Sequence, residues 1–210
     1  MPSLDSNSPS WSSLEIRLFN TVDVFVHKPA IMKKAEANLT ELKQVIIEEL
    51  SQAPHPCPAE SDTVKGQIVR GENHKSFPFI SLDMPQMFSK TQMFTYRTLF
   101  WWGHDLIFSL ILKQTDQAPL IKKLIQLKEY PEWSGIQLAT APSPWEWEKG
   151  SNNFIPLSEA SEKDIRETIG SVQYIKLCRF HPLSDPAFPE LNWADTGLTI
   201  WKILSKVCVE

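Results

Sequence analysis

Residues 93–113, MFTYRTLFWWGHDLIFSLILK, constrain the fold more than any other part of the chain. Two long apolar runs, rich in aromatic and branched side chains, are separated by Gly103-His104, a pair suited to a tight turn. The segment therefore predicts an antiparallel β-hairpin. A two-residue turn at this point predicts a specific register, which pairs Trp101 with Leu106, Phe100 with Ile107 and Leu99 with Phe108.

This register makes both faces of the hairpin apolar. One face carries Arg97 as its single charge, among Leu99, Trp101, Leu106, Phe108, Leu110 and Leu112. The other face carries Tyr96, Phe100, Trp102, Ile107 and Ile111. A strand pair that is apolar on both sides has to be covered on both sides. We therefore expect the hairpin at the centre of its sheet, with helices or a second layer against each face.

Hydrophobic periodicity assigns the elements around the hairpin. Ser12 and Glu15 have the spacing of a capping box, and the apolar stripe after them continues through Phe25 and Val26. It predicts a helix that Pro29 interrupts or closely follows. Further helical stripes occupy residues 30–51, 119–129, 158–169 and 195–209. Alternating patterns predict strands at 64–70, 77–83, 135–140 and 172–180.

These elements predict the fold class and the domain organisation. The chain is expected to be a single α+β domain over residues 1–210, in which a central, largely antiparallel sheet of about five or six strands is flanked by helices. Residues 1–10 are polar and rich in serine, which predicts a flexible N-terminal tail. Residues 53–63 contain a proline at every second position of their first half, and this pattern predicts a connector.

Charge and composition exclude several kinds of partner. The formal net charge is −4, with 21 basic and 25 acidic residues and no long run of either sign, so we expect no nucleic-acid binding. The most apolar window, residues 99–112, is shorter than a bilayer span and contains His104 and Asp105, so we expect no membrane insertion. The N-terminus lacks the features of a secretion signal and cysteines are few, which predicts a cytoplasmic protein.

No short catalytic signature is present. The glycine patterns of dinucleotide-binding and P-loop sites are absent, as are G-x-S-x-G and H-E-x-x-H. These absences argue against the commonest nucleotide-dependent enzymes, serine hydrolases and zinc proteases. They leave families without a short motif, and the sequence names neither an activity nor a cofactor.

The first group of candidate site residues is polar and lies in the predicted strands and hairpin: His74, Asp83, Arg97, His104 and Asp105. Two imidazoles and a carboxylate can hold a metal ion, and a histidine with an aspartate can act as a general base. The group therefore points to an enzyme with a His/Asp-based site, with or without the assistance of a metal ion. The structural alternative is a polar hairpin tip, an exposed turn histidine and an arginine held by a neighbouring carboxylate.

The second group is the segment Trp145, Glu146 and Trp147, followed by a second glutamate and preceded by two prolines. In an extended conformation both indoles project to one side and both carboxylates to the other, an arrangement that can stack a sugar, a base or a cationic group. The alternative is that the two tryptophans seal one end of the core.

Two hypotheses follow from these groups. The first, which we favour because the chain has eight tryptophans, is a binding module for a small molecule or a protein that uses an aromatic pocket. It predicts that Trp145 and Trp147 cluster with other exposed aromatic residues. The alternative is the His/Asp-based enzyme, which predicts that His74, His104 and one of the two aspartates point into a common cavity.

Overall fold

A seven-stranded antiparallel sheet organises the chain. The structure is a computed structural model, and it describes residues 9–52 and 54–209. The strands are Gln67–His74 (β1), Phe77–Phe88 (β2), Met93–Trp101 (β3), Asp105–Lys113 (β4), Gln137–Ala139 (β5), Phe154–Pro156 (β6) and Ile175–Pro182 (β7), in the spatial order β1-β2-β3-β4-β7-β5-β6. The predicted α+β class is confirmed. The extra strand is β6, whose three residues are too few to show an alternating pattern.

Five α-helices accompany the sheet in the described residues: Ser13–Phe19 (α1), Asp23–Gln52 (α2), Ala118–Leu127 (α3), Glu162–Val172 (α4) and Trp193–Leu204 (α5). The predicted capping box is confirmed, because Ser12 and Glu15 exchange hydrogen bonds. The extension of that first helix to Phe25 is wrong. Asn20 and Thr21 donate side-chain hydrogen bonds to the last carbonyl groups of α1, and a new helix begins at Asp23.

The segments outside these elements include parts of the expected tail and connector. Of the predicted tail 1–10, residues 1–8 lie outside the described part of the chain. Residues 54–66 form no helix, and they join the sheet only through an isolated bridge between Asp62 and Gln86. Within the described residues, no helix has the length and apolar character needed to cross a membrane.

The helices cover one face of the sheet. Residues of α2, α3, α4 and α5 form one continuous core with side chains from β2, β3, β4 and β7. The contact between α2 and α5 depends on Gly197, where a Cβ atom would lie 2.6 Å from a methyl group of Leu42. Tyr96 on β3 donates its hydroxyl hydrogen to the carbonyl of Gly197 at 2.6 Å, which fixes α5 against the sheet.

The opposite face of the sheet is covered without a helical layer. Leu99, Trp101, Ile107 and Ile111 form a second, smaller core there, and the irregular segment 140–153 contributes Trp147 to it. The central position of the hairpin and the burial of both its faces are therefore confirmed.

The predicted register of the hairpin is wrong by one residue. Phe100 pairs with Leu106 and Leu99 with Ile107, because residues 102–104 form a three-residue turn between β3 and β4. Gly103 has a φ of +75° in this turn, and His104 folds back to stack on the ring of Trp101. The shift moves Phe100 to the helix-covered face together with Leu106, Phe108 and Leu110, and it moves Leu99 and Trp101 to the opposite face.

Candidate functional site

The candidate site is an apolar cleft of about 400 Å³ beside the tip of the β3-β4 hairpin. Its walls come from the first half of α2, from the hairpin tip and from the segment 183–193 that connects β7 to α5. The aromatic side chains that line it are Phe100, Trp102, Phe188 and Trp193. Its volume lies in the range of small-molecule sites, roughly 300–1,000 Å³. We call this site the aromatic cleft.

Aromatic contacts give the cleft a rigid floor. The ring of Trp193 stacks on that of Phe100 with 5.6 Å between centroids and 29° between planes. Phe188 approaches the same indole at 6.2 Å. Phe100 and Trp193 are both buried, whereas Trp102 and Phe188 are partly exposed. The buried pair therefore supports a surface that a flat apolar ligand can contact without rearrangement.

Local hydrogen bonds position the aromatic residues. Trp193 is the first residue of α5, and the side chain of Asn192 fixes this helix start by accepting the backbone N–H of Asp195 at 3.0 Å. Trp102 lies in the hairpin turn, where its backbone N–H donates to the carbonyl of Pro78 at 3.1 Å. The cleft is thus built from backbone segments that are each held in place.

Two polar side chains of α2 line the aromatic cleft. Lys34 and Asn38 are one helical turn apart, and the Asn38 amide donates to the Lys34 carbonyl at 2.8 Å. The amide oxygen of Asn38 stays available as an acceptor. Lys34 takes part in no ion pair within the described residues, although other charged side chains of α2 do. The cleft therefore combines apolar walls with one uncompensated cation.

None of the eight candidate site residues from the sequence lines the aromatic cleft, although Phe100 and Trp102 of the predicted hairpin do. It is assembled from residues 31–38, 100–103 and 183–193, which are far apart in the sequence and share no motif. Two signals pointed towards it: the high tryptophan content, and the prolines at positions 182, 186 and 189, which flank an irregular stretch at residues 183–187. Neither signal assigns partners, because convergence of three distant segments depends on the complete topology.

The segment Trp145, Glu146 and Trp147 lies across the opposite face of the sheet. The Trp145 ring covers the guanidinium group of Arg97 at 4.5 Å and is 38% exposed. Trp147 is buried, and its ring covers the ammonium group of Lys176 at 3.3 Å. Both indoles thus face the sheet, each against a cation.

The carboxylates of the same segment bind a common lysine. Glu146 and Glu148 both contact the amine of Lys75, at 2.8 Å and 2.6 Å. Glu146 also accepts the backbone N–H groups of Trp147 and Glu148. These hydrogen bonds oppose the effect of partial burial and hold the pKa of Glu146 below its ordinary value. The segment is consequently fixed by its own contacts, and the aromatic surface that it leaves exposed is the ring of Trp145.

Asp83 and Arg97 form a buried ion pair on that face. The Arg97 guanidinium donates to both carboxylate oxygens of Asp83, at 2.8 Å and 2.6 Å, and Thr95 adds a hydroxyl hydrogen bond at 2.7 Å. Asp83 is 1% exposed. Both residues lie at paired positions of β2 and β3, which explains why the arginine is held by a neighbouring strand. The Asp83 carboxylate is fully engaged by these three donors.

His74 and His104 both contact the ring of Trp101. The His104 ring stacks on the indole at 3.7 Å, and the His74 ring meets it edge-on at 5.0 Å. The Nε2 atom of each histidine is buried and has no hydrogen-bond partner within residues 9–52 and 54–209. Partial burial lowers the pKa of His74 below its ordinary value. Both imidazoles therefore lie against the same indole, that of Trp101.

Asp105 forms an ion pair of its own, apart from the other candidates. Its carboxylate binds the amine of Lys149 at 2.8 Å, at the start of β4. No group of three or more histidine, cysteine, aspartate or glutamate side chains suitable for a metal ion occurs among the described residues. The five candidates from the sequence thus form an ion pair at the strand centre, an imidazole pair at Trp101 and a separate ion pair at Asp105.

Lys176 and Cys178 are two buried titratable groups that the sequence did not single out. Lys176 is 0% exposed, and its amine donates to the carbonyl of Glu146. Burial lowers the pKa of Lys176 to about 8. Cys178 is equally buried, and burial raises the pKa of its thiol to about 12. In the sequence they occupy alternate positions of a predicted strand, which places them on the same face of the sheet. The sequence does not show that this face is buried, because the segment that covers it, residues 140–153, is distant in the chain.

Comparison of the chain with models of protein families, with curated proteins and with solved structures found no match. Function therefore has to be argued from the geometry of the chain itself.

Proposed function

We propose that this protein is a binding protein for a small organic anion that carries a flat apolar ring system, and that the ligand occupies the aromatic cleft. The observation that carries the proposal is the cleft formed by Phe100, Trp102, Phe188 and Trp193. A concave, mainly apolar site with a few polar groups at its margin is the usual form of a small-molecule site.

The apolar walls account for the ring. Contact with the partly exposed Trp102 and Phe188 removes apolar surface of ligand and protein from water, and the buried pair behind them supplies a floor that is already ordered. A ligand of this kind therefore binds without a large ordering cost in the protein.

The polar side chains of α2 account for the anionic group. Lys34 has no ion pair within the described chain and lines the same cleft as the aromatic rings. An anionic group on the ligand supplies the missing counter-charge, and Asn38 can orient a neighbouring polar atom. This pairing supports a carboxylate or sulfonate ligand over a cationic one.

The alternative, a His/Asp-based enzyme, has less support. The unpartnered Nε2 atoms of His74 and His104 favour it. Against it, the carboxylates of Asp83 and Asp105 are bound by Arg97 and Lys149, and none of the candidates lines the aromatic cleft.

Anilinonaphthalene sulfonate tests the proposal, because it combines a flat ring system with an anionic group and becomes fluorescent when it leaves water. Titration of the wild type is expected to reveal a saturable site. Trp102→Leu is expected to weaken that site by roughly tenfold, which is the effect of losing about 1.4 kcal/mol of apolar and aromatic contact. The melting temperature of each variant shows whether the fold is intact.

The charge requirement is tested with the neutral probe N-phenylnaphthylamine, which has the same rings without the sulfonate. Lys34→Gln is expected to weaken binding of the sulfonate and leave binding of the neutral probe unchanged. Lys33→Gln, one residue earlier on the same helix and outside the cleft, is the matched control. If Lys34→Gln and Lys33→Gln weaken binding of the sulfonate equally, the anion site is contradicted. If Trp102→Leu does not change the dissociation constant of the dye, the dye binds elsewhere and the aromatic cleft is contradicted.

A further inference from the structure

The first turn of α2 leaves uncovered an apolar face that the helix buries further along its length. Phe25, Met32 and Leu39 are separated by seven residues each, so they lie on the same side of the helix. Met32 is 2% exposed and Leu39 is 0% exposed because they pack on the sheet, whereas Phe25 is 74% exposed. The face that α2 buries in the core thus continues past the end of the core.

Phe25 is not the only exposed apolar residue in this part of the described chain. Residues 11–31, which we call the N-terminal arm, also expose Trp11, Ile16, Leu18, Phe19, Val22, Val24, Val26 and Ile31. Trp11 and Phe19 pack edge-to-face on each other at 4.8 Å, without a further cover. Summed over all sides of the two helices, these side chains expose on the order of 1,000 Å² of apolar surface. Val24 and Val26 point to opposite sides of α2, so about half of this area belongs to one side of the arm.

We propose that the N-terminal arm is the interface of a two-fold symmetric dimer, in which the arm of one chain packs against the arm of a second copy. A stable interface of standard size buries about 800 Å² on each partner, of which somewhat more than half is apolar, and one side of the arm exposes about that much apolar surface. In a two-fold dimer the same patch faces itself, so an apolar overhang on one copy covers the equivalent overhang on the other.

The charges of the arm are compatible with self-association. It contains two acidic residues, Glu15 and Asp23, and two basic residues, Arg17 and Lys28, so its formal charge is zero. Lys28 is already bound to Glu72 of β1. Two such arms do not repel each other. An anionic membrane surface, in contrast, attracts helices with an excess of lysine and arginine on their polar face, and the arm has no such excess.

The test is the molar mass in solution, measured by size-exclusion chromatography with light scattering and by sedimentation equilibrium. The wild type is expected to have the mass of two chains. Val26→Glu is expected to raise the dissociation constant of the dimer by roughly a hundredfold or more, because each interface loses two apolar contacts and gains two like charges. Val64→Glu is the matched control, since Val64 is 67% exposed and Val26 is 68% exposed, but Val64 lies outside the arm.

Phe25→Glu is a second arm variant with the same expected effect, and helical circular dichroism establishes that both variants fold. A wild type that is monomeric throughout the measured concentrations overturns the proposal. A dimer that persists in Val26→Glu and Phe25→Glu also overturns it, because the contact then lies elsewhere, for example along the edge strand β1. Co-sedimentation of a monomeric wild type with phosphatidylserine vesicles, lost in the arm variants, assigns the arm to lipid and likewise overturns the proposal.

Discussion

Replacement of Arg97 by methionine is expected to lower the free energy of unfolding by about 3–5 kcal/mol, which is the usual effect of removing one partner from a buried ion pair. Asp83 is 1% exposed, and without the guanidinium group its carboxylate retains only the hydroxyl of Thr95. The loss of the positive charge itself contributes little to this value; the main contribution is the carboxylate that stays buried without a cation. Urea denaturation at neutral pH measures the difference.

Two further variants separate the buried charge from other effects. Arg70→Met removes the arginine of an exposed pair with Glu36, which has a similar distance of 2.9 Å but side chains that are 44% and 48% exposed, and it is expected to cost less than about 1 kcal/mol. The double variant Asp83→Leu/Arg97→Met removes both charges and is expected to recover much of the loss. If Arg97→Met costs no more than Arg70→Met, the buried pair has no special role in stability.

The main features of the fold were accessible from the sequence because they depend on local patterns. The long apolar runs before and after Gly103 indicated a hairpin, and their aromatic content indicated that both faces are covered. The register was inaccessible for a physical reason. The stacking of His104 on Trp101 accompanies a three-residue turn instead of a two-residue one, and this contact is a property of the folded turn.

From the sequence we could predict that the candidate site is aromatic, but not which residues form it. A tryptophan-rich chain suggested an aromatic pocket, but the sequence placed it at Trp145 and Trp147, where two indoles occur close together. In the structure these rings lie over Arg97 and Lys176, and the cleft is formed by Trp102 and other aromatic residues. Local spacing reports which residues are neighbours along the chain, whereas a cleft depends on which distant segments meet.

The covering of the second sheet face explains why the Trp145 segment carries so many polar contacts. Arg97 and Lys176 lie on the same face of the sheet, where the described helices contribute only Val172, the last residue of α4, to the core. Aromatic rings can cover a cation without removing its electrostatic stabilisation, since the ring face is negative. Trp145 and Trp147 therefore cover this face of the sheet at a smaller desolvation cost for Arg97 and Lys176 than aliphatic side chains would.

Lys176 is expected to make the stability of the protein depend on pH. Its pKa is about 8 in the folded protein, below the ordinary value of 10.5 that applies in the unfolded chain. Between these two values the unfolded chain holds the proton and the folded protein does not, so this group makes the folded state more stable as the pH rises from 8 towards 10.5. Since one pKa unit corresponds to about 1.4 kcal/mol, the full effect is roughly 3 kcal/mol.

Lys176→Met isolates this effect, because methionine has a similar length and does not titrate. The free energy of unfolding of the wild type, minus that of the variant, is expected to rise by roughly 2.5 kcal/mol between pH 7 and pH 10 in urea denaturation. The cysteines, whose thiol pKa values burial raises to about 12, are present in both proteins, so their contribution largely cancels in the difference. Lys163→Met, at a lysine that is 79% exposed, controls for the loss of one positive charge. If the difference in free energy of unfolding between the wild type and Lys176→Met stays constant with pH, Lys176 remains an ammonium ion in the folded protein. The ring of Trp147 and the carbonyl of Glu146 would then stabilise the charge as strongly as burial destabilises it.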